Sequence, residues 1–241
     1  MDLGIAGRVA IVTASSKGLG RASAQALAAE GVAIVLCARG QEALEATADA
    51  IRAAGGRALA VPADVTQPEV PAQLVAAALE AYGRLDIVVG NAGGPPPMRA
   101  LDVDAAGVHA AVDANLLSSV RLAQAALPHL RAQQWGRLCF IASVSVRQPI
   151  GDLALSNIAR TGLWAWAKTA AQDLAGEGIT VNLACPGLHA TDRVAEVGHT
   201  GRRMGDPADF GKVVAFLCSE PASYVSGIAL GIDGAAVTGL L

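Results

Sequence analysis

An alternation along the chain constrains its fold more than any other feature. Runs at 8–13, 33–38, 58–61, 85–89, 137–142, 179–184 and 226–232 read as strands, several of them apolar throughout. Between them lie stretches with helical character at 18–30, 41–54, 68–82, 105–132, 155–175 and 207–219. A strand with one face in water alternates apolar and polar residues. One that is apolar at each position, such as Ala33-Ile34-Val35-Leu36-Cys37-Ala38, must be covered on both faces. Strands of this kind separated by helices predict βαβ units with right-handed crossovers, and so an α/β fold: a parallel sheet between two layers of helices. The length, 241 residues, suits one domain spanning 1–241 with a substantial core.

Composition removes several functional classes. With 53% hydrophobic and 16% charged residues, the chain is too apolar to be disordered. A net charge of −3 with no Lys/Arg run gives no footprint for nucleic acid, and no such partner is expected. No apolar run is long enough to span a bilayer, and the first residues lack the basic-then-apolar pattern of a secretion signal. A cytoplasmic protein without membrane contact is therefore expected. Cys37, Cys139, Cys185 and Cys218 lie far apart and read as small buried residues. His109, His129, His189 and His199 lack metal-ligand spacing, so no metal is expected.

The first strand runs into Thr13-Ala14-Ser15-Ser16-Lys17-Gly18-Leu19-Gly20, where a helix opens. Glycines there let the backbone approach a pyrophosphate, and the helix N-terminus offers it free N–H groups. The position after the first strand and before the first helix is the one a dinucleotide site requires. Such a site usually carries an acid at the end of the second strand, to hold the ribose 2′-hydroxyl. Here that stretch reads Leu36-Cys37-Ala38-Arg39. A carboxylate repels a 2′-phosphate whereas Arg grips it, and Lys17 adds a second cation, so NADP(H) is favoured over NAD(H).

These residues, with Gly90-Asn91-Ala92-Gly93 after the fourth strand, resemble the short-chain dehydrogenase/reductase family over nearly the whole chain. The resemblance is greatest to the branch that contains 3-oxoacyl-carrier-protein reductases. It implies a Rossmann-type three-layer fold with a seven-stranded parallel sheet in the order 3-2-1-4-5-6-7. It places Asp64 and Val65 at the adenine and Asn91, Ala92 and Gly93 beside the cofactor ribose. Pro186, Gly187, Leu188 and Thr191 then hold the nicotinamide carboxamide, and Asp233-Gly234 matches the family's C-terminal Asp-Gly. The substrate implied is a small-molecule or carrier-bound carbonyl compound, and the assembly a homodimer or homotetramer. Trp164 and Trp166 are expected to pack in the core or at that interface.

The catalytic positions depart from the family pattern. Asn115 matches the family's Asn and Ser143 its Ser. The Tyr position falls on Ser156, and the Lys position, which also contacts the cofactor, falls on Arg160. The spacing that puts both on one helix face is kept while both chemical groups change. A phenol has a pKa of about 10, which a nearby cation lowers toward working pH. A serine hydroxyl is a far weaker acid, and Arg holds its proton where Lys can relay one. Neither Tyr82 nor Tyr224 falls on this helix. The candidates for a replacement proton donor are His189, Asp152, Arg147, and a Ser156–Ser143 pair acting with water. Arg99, Arg147, Arg202 and Arg203 are candidates for attracting an acidic substrate or carrier, across a short loop at 191–205. Three functions follow: a carbonyl reductase with an altered proton donor, a non-redox enzyme (dehydratase, cyclase or isomerase), or an inactive NADPH-binding partner subunit.

Overall fold

The computed structural model describes residues 1–197 and 204–239. Part of the 191–205 loop, with His199, Arg202 and Arg203, lies outside the described residues. The strands are β1 (Val9–Thr13), β2 (Ala33–Ala38), β3 (Arg57–Pro62), β4 (Ile87–Gly90), β5 (Gly136–Ile141), β6 (Ile179–Pro186) and β7 (Ala229–Ile232). They form one seven-stranded sheet in the order β3-β2-β1-β4-β5-β6-β7, parallel at each pairing.

The helices are α1 (Gly18–Ala29), α2 (Gln41–Ala53), α3 (Val70–Tyr82), α4 (Ala105–Val112), α5 (Ser118–Gln133), α6 (Ala154–Asp173), α7 (Asp192–Val197) and α8 (Pro207–Leu217). The two-residue period of β1 shows how the layers are built. Val9 and Ile11 enter the core shared with Leu74 of α3, Leu122 of α5 and Leu163 of α6. Ala10 and Val12 enter the core on the opposite face, with Leu27 of α1, Leu44 of α2 and Phe210 of α8. Close packing of α1 on α8 depends on Gly211, where a Cβ would meet the Ala22 carbonyl oxygen. Trp166 packs edge-on against Phe140 with ring centroids 5.8 Å apart, and Trp164 is half-buried against the same core. Among the described residues no helix is long and apolar enough to cross a membrane.

Several boundaries shift by one to three residues, as for the expected strand 226–232, which spans Ala229–Ile232, and two larger departures have identifiable reasons. The stretch expected as one helix at 105–132 is interrupted by a π-helical turn, Asp113–Leu117, between α4 and α5. One inserted residue shifts the phase of the helix without changing its composition, so a helical reading of the whole stretch passes over it. Within the expected loop after Thr191 lies α7, a helix of 6 residues, too short for a periodic signature.

Opposite the C-terminal edge of the sheet, the strand beginnings are locked by charge. Asp86, fully buried before β4, accepts from Val9 N at 2.9 Å, from Arg8 Nη1 at 3.1 Å, and from Arg84 Nε and Nη2 at 2.8 and 2.7 Å. The Trp135 ring has Arg8 at 3.8 Å and Arg137 at 4.1 Å from its centroid, and its indole N–H donates to Glu220 at 2.7 Å. Asp86→Ala leaves two guanidinium groups and a backbone N–H without their acceptor. It is expected to lower the unfolding free energy by about 2–3 kcal/mol, read from the urea midpoint. A change below about 0.5 kcal/mol contradicts a locking role.

Candidate active site

The sheet order reverses between β1 and β4, and in open parallel sheets the crevice beyond the strand ends at that point is the binding site. Thr13 stitches its two sides together. Its hydroxyl donates to Asn91 O at 2.7 Å and accepts from Asn91 N at 2.8 Å. Ala14 follows with φ +45, a left-handed conformation that costs a non-glycine residue about 1 kcal/mol. Ser15 is sealed in, accepting from Cys37 N at 3.1 Å, so its side chain shapes the loop by gripping β2. The Ser16 carbonyl accepts from the Thr47 hydroxyl at 3.2 Å.

Lys17 is the N-cap of α1, which has no side-chain cap and no acid in its first turn. Its leading N–H groups thus stay available to an anion. Gly18 has φ +57, and at Gly20 a Cβ would collide with the Ala14 carbonyl oxygen and lie 2.9 Å from Asn91 Nδ2. Leu19 is half-buried against the α1 side of the core. Space for a Cβ at Gly93 is open, with no atom within 4 Å.

Around this cradle the flanking residues fall as follows. Arg39 is exposed just past β2. Asp64 accepts from Thr66 N at 3.0 Å and Thr66 Oγ1 at 2.9 Å. The backbone bond, then the hydroxyl and the Arg39 charge, hold this carboxyl below the usual carboxylate range against partial burial. Val65 beside it is half-buried. On the other side, Gly187 N donates to Ile232 O at 3.0 Å, and a Gly187 Cβ would lie 2.8 Å from Asp233. The Asp233 carboxylate accepts from Ala235 N and Val237 N, fixing the turn behind Pro186 and Gly187. Leu188 O accepts from Gly205 N at 2.9 Å. Thr191 lies over Gly18, with Cγ2 3.7 Å from the position of a Cβ there.

The residues expected to be catalytic fall where β5 meets α6. Ser156 and Arg160 lie one turn apart on α6, each 7% exposed. Arg160 Nη1 donates to Ile141 O at 2.8 Å and Ala142 O at 3.0 Å. Ser143, the next residue, caps a 3-10 turn (Val144–Val146) by accepting from Ser145 N at 3.1 Å, which leaves its own O–H to donate elsewhere. Asn115 sits in the π-helical turn, 3% exposed, with neither amide atom hydrogen-bonded. That turn approaches α6 closely because residue 162 is Gly: a Cβ there would lie 2.6 Å from Leu116 Cδ1. Burial lowers the Arg160 pKa to about 10, with Arg193 adding to the effect and Cys185 opposing it. Burial likewise raises the Cys185 thiol to about 12.

The proposed replacement donors separate. His189 is 4% exposed, edge-on to Phe210 of α8 with centroids 5.2 Å apart, and its Nδ1 lies 3.3 Å from Gly187 O. It is a packed core ring, not a group at the mouth of the cleft. Asp152 is exposed, and its carbonyl accepts from Met98 N at 2.7 Å. Arg147 is exposed and close enough to Cys185 for its charge to act on the thiol. Tyr82 ends α3 under Arg57, and Tyr224 is exposed between α8 and β7, so neither tyrosine of the chain is at the site. Three residues at the site, Arg193, Asp192 and Cys185, were not assigned to it from the sequence. Arg193 donates to Pro95 O at 2.7 Å, joining α7 to the Pro-rich rim, while Asp192 lies 4.0 Å from Lys17. Cys185 borders Arg160, and its position directly before Pro186 was the available signal.

An open parallel sheet with a glycine cradle at its switch point and a Ser-bearing turn after β5 defines a nucleotide-dependent α/β enzyme class. The family model described as Enoyl-(Acyl carrier protein) reductase matches residues 13–235. A 3-oxoacyl-[acyl-carrier-protein] reductase of Synechocystis is 32% identical over 239 residues, covering 95% of this chain and 97% of its own. Two solved structures are similar at TM-score 0.93. One is L-sorbose reductase from Gluconobacter frateurii with NADPH and L-sorbose, 30% identical and covering 100% of both chains. The other is a 7 alpha-hydroxysteroid dehydrogenase with NADH and 7-oxo glycochenodeoxycholic acid, 28% identical, covering 100% of this chain and 98% of its own. The chain belongs to the short-chain dehydrogenase/reductase family, and by that membership is an oxidoreductase of this type.

Keeping Arg160 charged costs about 3 kcal/mol, given a pKa of about 10 against 12.5. Arg160→Met removes that cost and leaves the Ile141 and Ala142 carbonyls without their charged donor, a loss of about 1.5–3 kcal/mol for each, so near neutral pH the variant is expected to be no more stable than the parent. The parent gains on the variant above about pH 10. There the folded protein releases the Arg160 proton before the unfolded chain does, and the desolvation cost fades. Denaturant midpoints of both proteins across pH check this, and a variant that gains on the parent above about pH 10 contradicts it.

Proposed function

We propose that the protein is an NADP(H)-dependent carbonyl reductase acting on a ketone or 3-oxoacyl-like substrate, with a serine hydroxyl and water in place of a phenol as the proton source. The observation that supports it best is the phosphate cradle. Gly18 and Gly20 hold the loop against the uncapped start of α1, and Arg39 stands where an acid would exclude a 2′-phosphate. The residues present therefore fit a dinucleotide: Lys17, Arg39 and the α1 N–H groups for the phosphates, and Asn91, Gly93, Pro186 and Thr191 along the nucleoside. A bound reduced nicotinamide supplies the hydride for the carbonyl carbon.

The chain's own groups then act on the carbonyl oxygen. The Ser143 hydroxyl, which accepts from Ser145 N, keeps its own O–H to donate to that oxygen. The Arg160 cation stabilises the negative charge that develops there, in a site where burial strengthens electrostatics. A proton reaches the oxygen through Ser143 or Ser156 from water, which offsets the weak acidity of both hydroxyls only in part. One observation favours a second reading, a nucleotide-binding subunit or non-redox enzyme on this fold: neither tyrosine lies at the site.

Fluorescence titration with NADPH and NADH, on the parent and Arg39→Ala, tests the cofactor assignment. The parent is expected to favour NADPH, and the variant to lose about tenfold in NADPH affinity while NADH changes less than about twofold. NADPH oxidation across ketones and 3-oxoacyl thioesters then tests the reaction. Equal affinities unaffected by Arg39→Ala contradict the phosphate role, and binding without oxidation of NADPH by any carbonyl favours the second reading.

A further inference from the structure

We propose that the open edge of the Arg160 guanidinium is a carboxylate-binding subsite, so that the carbonyl substrate of this protein carries a carboxylate close to its reacting carbon. The inference rests on the reading of the cleft as a nicotinamide-linked carbonyl site and names the class of substrate it takes.

The chain contains its own control, a second buried arginine whose role is structural. Arg137 is 2% exposed, and its guanidinium is used on all sides. Nε donates to Ser219 O at 3.1 Å, and Nη1 donates to Gly136 O at 2.9 Å and Gly178 O at 3.2 Å. Nη2 lies 3.5 Å from Glu220 Oε2, and the group stacks on Trp135. Each nitrogen has a partner, and a carboxylate offsets the charge. Arg160 is nearly as buried and has neither property. Only Nη1 is engaged, by two neutral backbone carbonyls. Among the described residues no partner meets Nε or Nη2, and neither is among the atoms sealed from solvent without one. Among the described residues no acid pairs with it, whereas Arg8, Arg52, Arg84, Arg121 and Arg131 each have one.

Nε and Nη2 form the side of the guanidinium fork that holds a carboxylate through two parallel N–H···O bonds. The ionisable neighbours that act on Arg160 are Arg193, a cation, and Cys185, a thiol that burial keeps protonated. Arg147 adds positive charge near Cys185. A buried cation whose own hydrogen bonds go to neutral carbonyls calls for an anion from outside the chain. The free edge is planar and offers two parallel donors, which matches a planar carboxylate. Ser156, one turn earlier on the same face of α6, and Ser143, directly after the carbonyls that Arg160 grips, border the subsite with hydroxyls. They place the carbonyl oxygen beside it.

The test is calorimetric binding of oxamate, a planar carboxylate with an adjacent carbonyl, to protein saturated with NADPH. Parent, Arg160→Met and Arg160→Lys are compared, with NADPH affinity measured separately for each. Oxamate is expected to bind the parent complex, to lose about tenfold or more in Arg160→Met, and to be partly restored in Arg160→Lys, which keeps the charge without the fork. Should Arg160→Met fail to fold, Arg160→Lys alone is read: unchanged oxamate affinity there overturns the fork. Absent oxamate binding, with NADPH bound normally, overturns the subsite while leaving the cofactor assignment intact. Unchanged binding in Arg160→Met does the same. Inorganic phosphate that binds more tightly than oxamate, through Arg160, overturns the carboxylate in favour of a phosphoryl group. Failure of NADPH to bind, with Arg160-dependent oxamate binding retained, supports the subsite and overturns the nicotinamide reading.

Discussion

A parallel sheet ends in carbonyl groups that its own strands cannot satisfy, and what meets them at the C-terminal edge determines what the edge can do. At the end of β5 they are met by Arg160, whose Nη1 donates to both Ile141 O and Ala142 O. The contact pins α6 to the sheet at the level of Ser143 and brings Ser156 and Ser143 to one side of the cleft. It also keeps a guanidinium charged in a desolvated place, with its pKa lowered to about 10. The hydrogen bonds and the desolvation cost arise from the same placement, and the anion-seeking chemistry follows from the cost.

Other local conflicts collect around the same cleft. Ala14 takes a left-handed φ at the cradle, and Asn115 is buried in a π-helical turn with its amide unpartnered. Such departures persist where surrounding structure over-determines them, and they mark functional regions more often than accidental ones. Away from the cleft the chain is conventional. Asp86 gathers Arg8 and Arg84, Glu220 pairs with Arg8 and Arg137, and the two cores follow the strand period residue by residue.

The architecture was legible because it depends on burial, which writes a period into the sequence. Strands buried on both faces read as unbroken apolar runs, and the sheet order agrees with the one implied by resemblance. The cradle was legible because Gly18 and Gly20 are required by backbone geometry. Two kinds of information were not. A π-turn changes the phase of a helix without changing its composition, so Asp113–Leu117 passed as ordinary helix. Side-chain direction also escaped, since it depends on packing between distant segments. His189, within the loop expected to border the nicotinamide, faces Phe210 instead, and Arg193, unremarkable in sequence, reaches Pro95.

The central claim is hydride transfer at a cleft whose proton chemistry lacks a phenol, and isotope transfer addresses it most directly. NADPH deuterated at the reacting ring carbon is incubated with the protein and a carbonyl substrate, and the product is analysed for the position of the label. Deuterium on the new carbinol carbon, one atom for each NADPH consumed, is the expected result. A product formed without deuterium and without consumption of NADPH would contradict it and place the protein among the non-redox members of this fold.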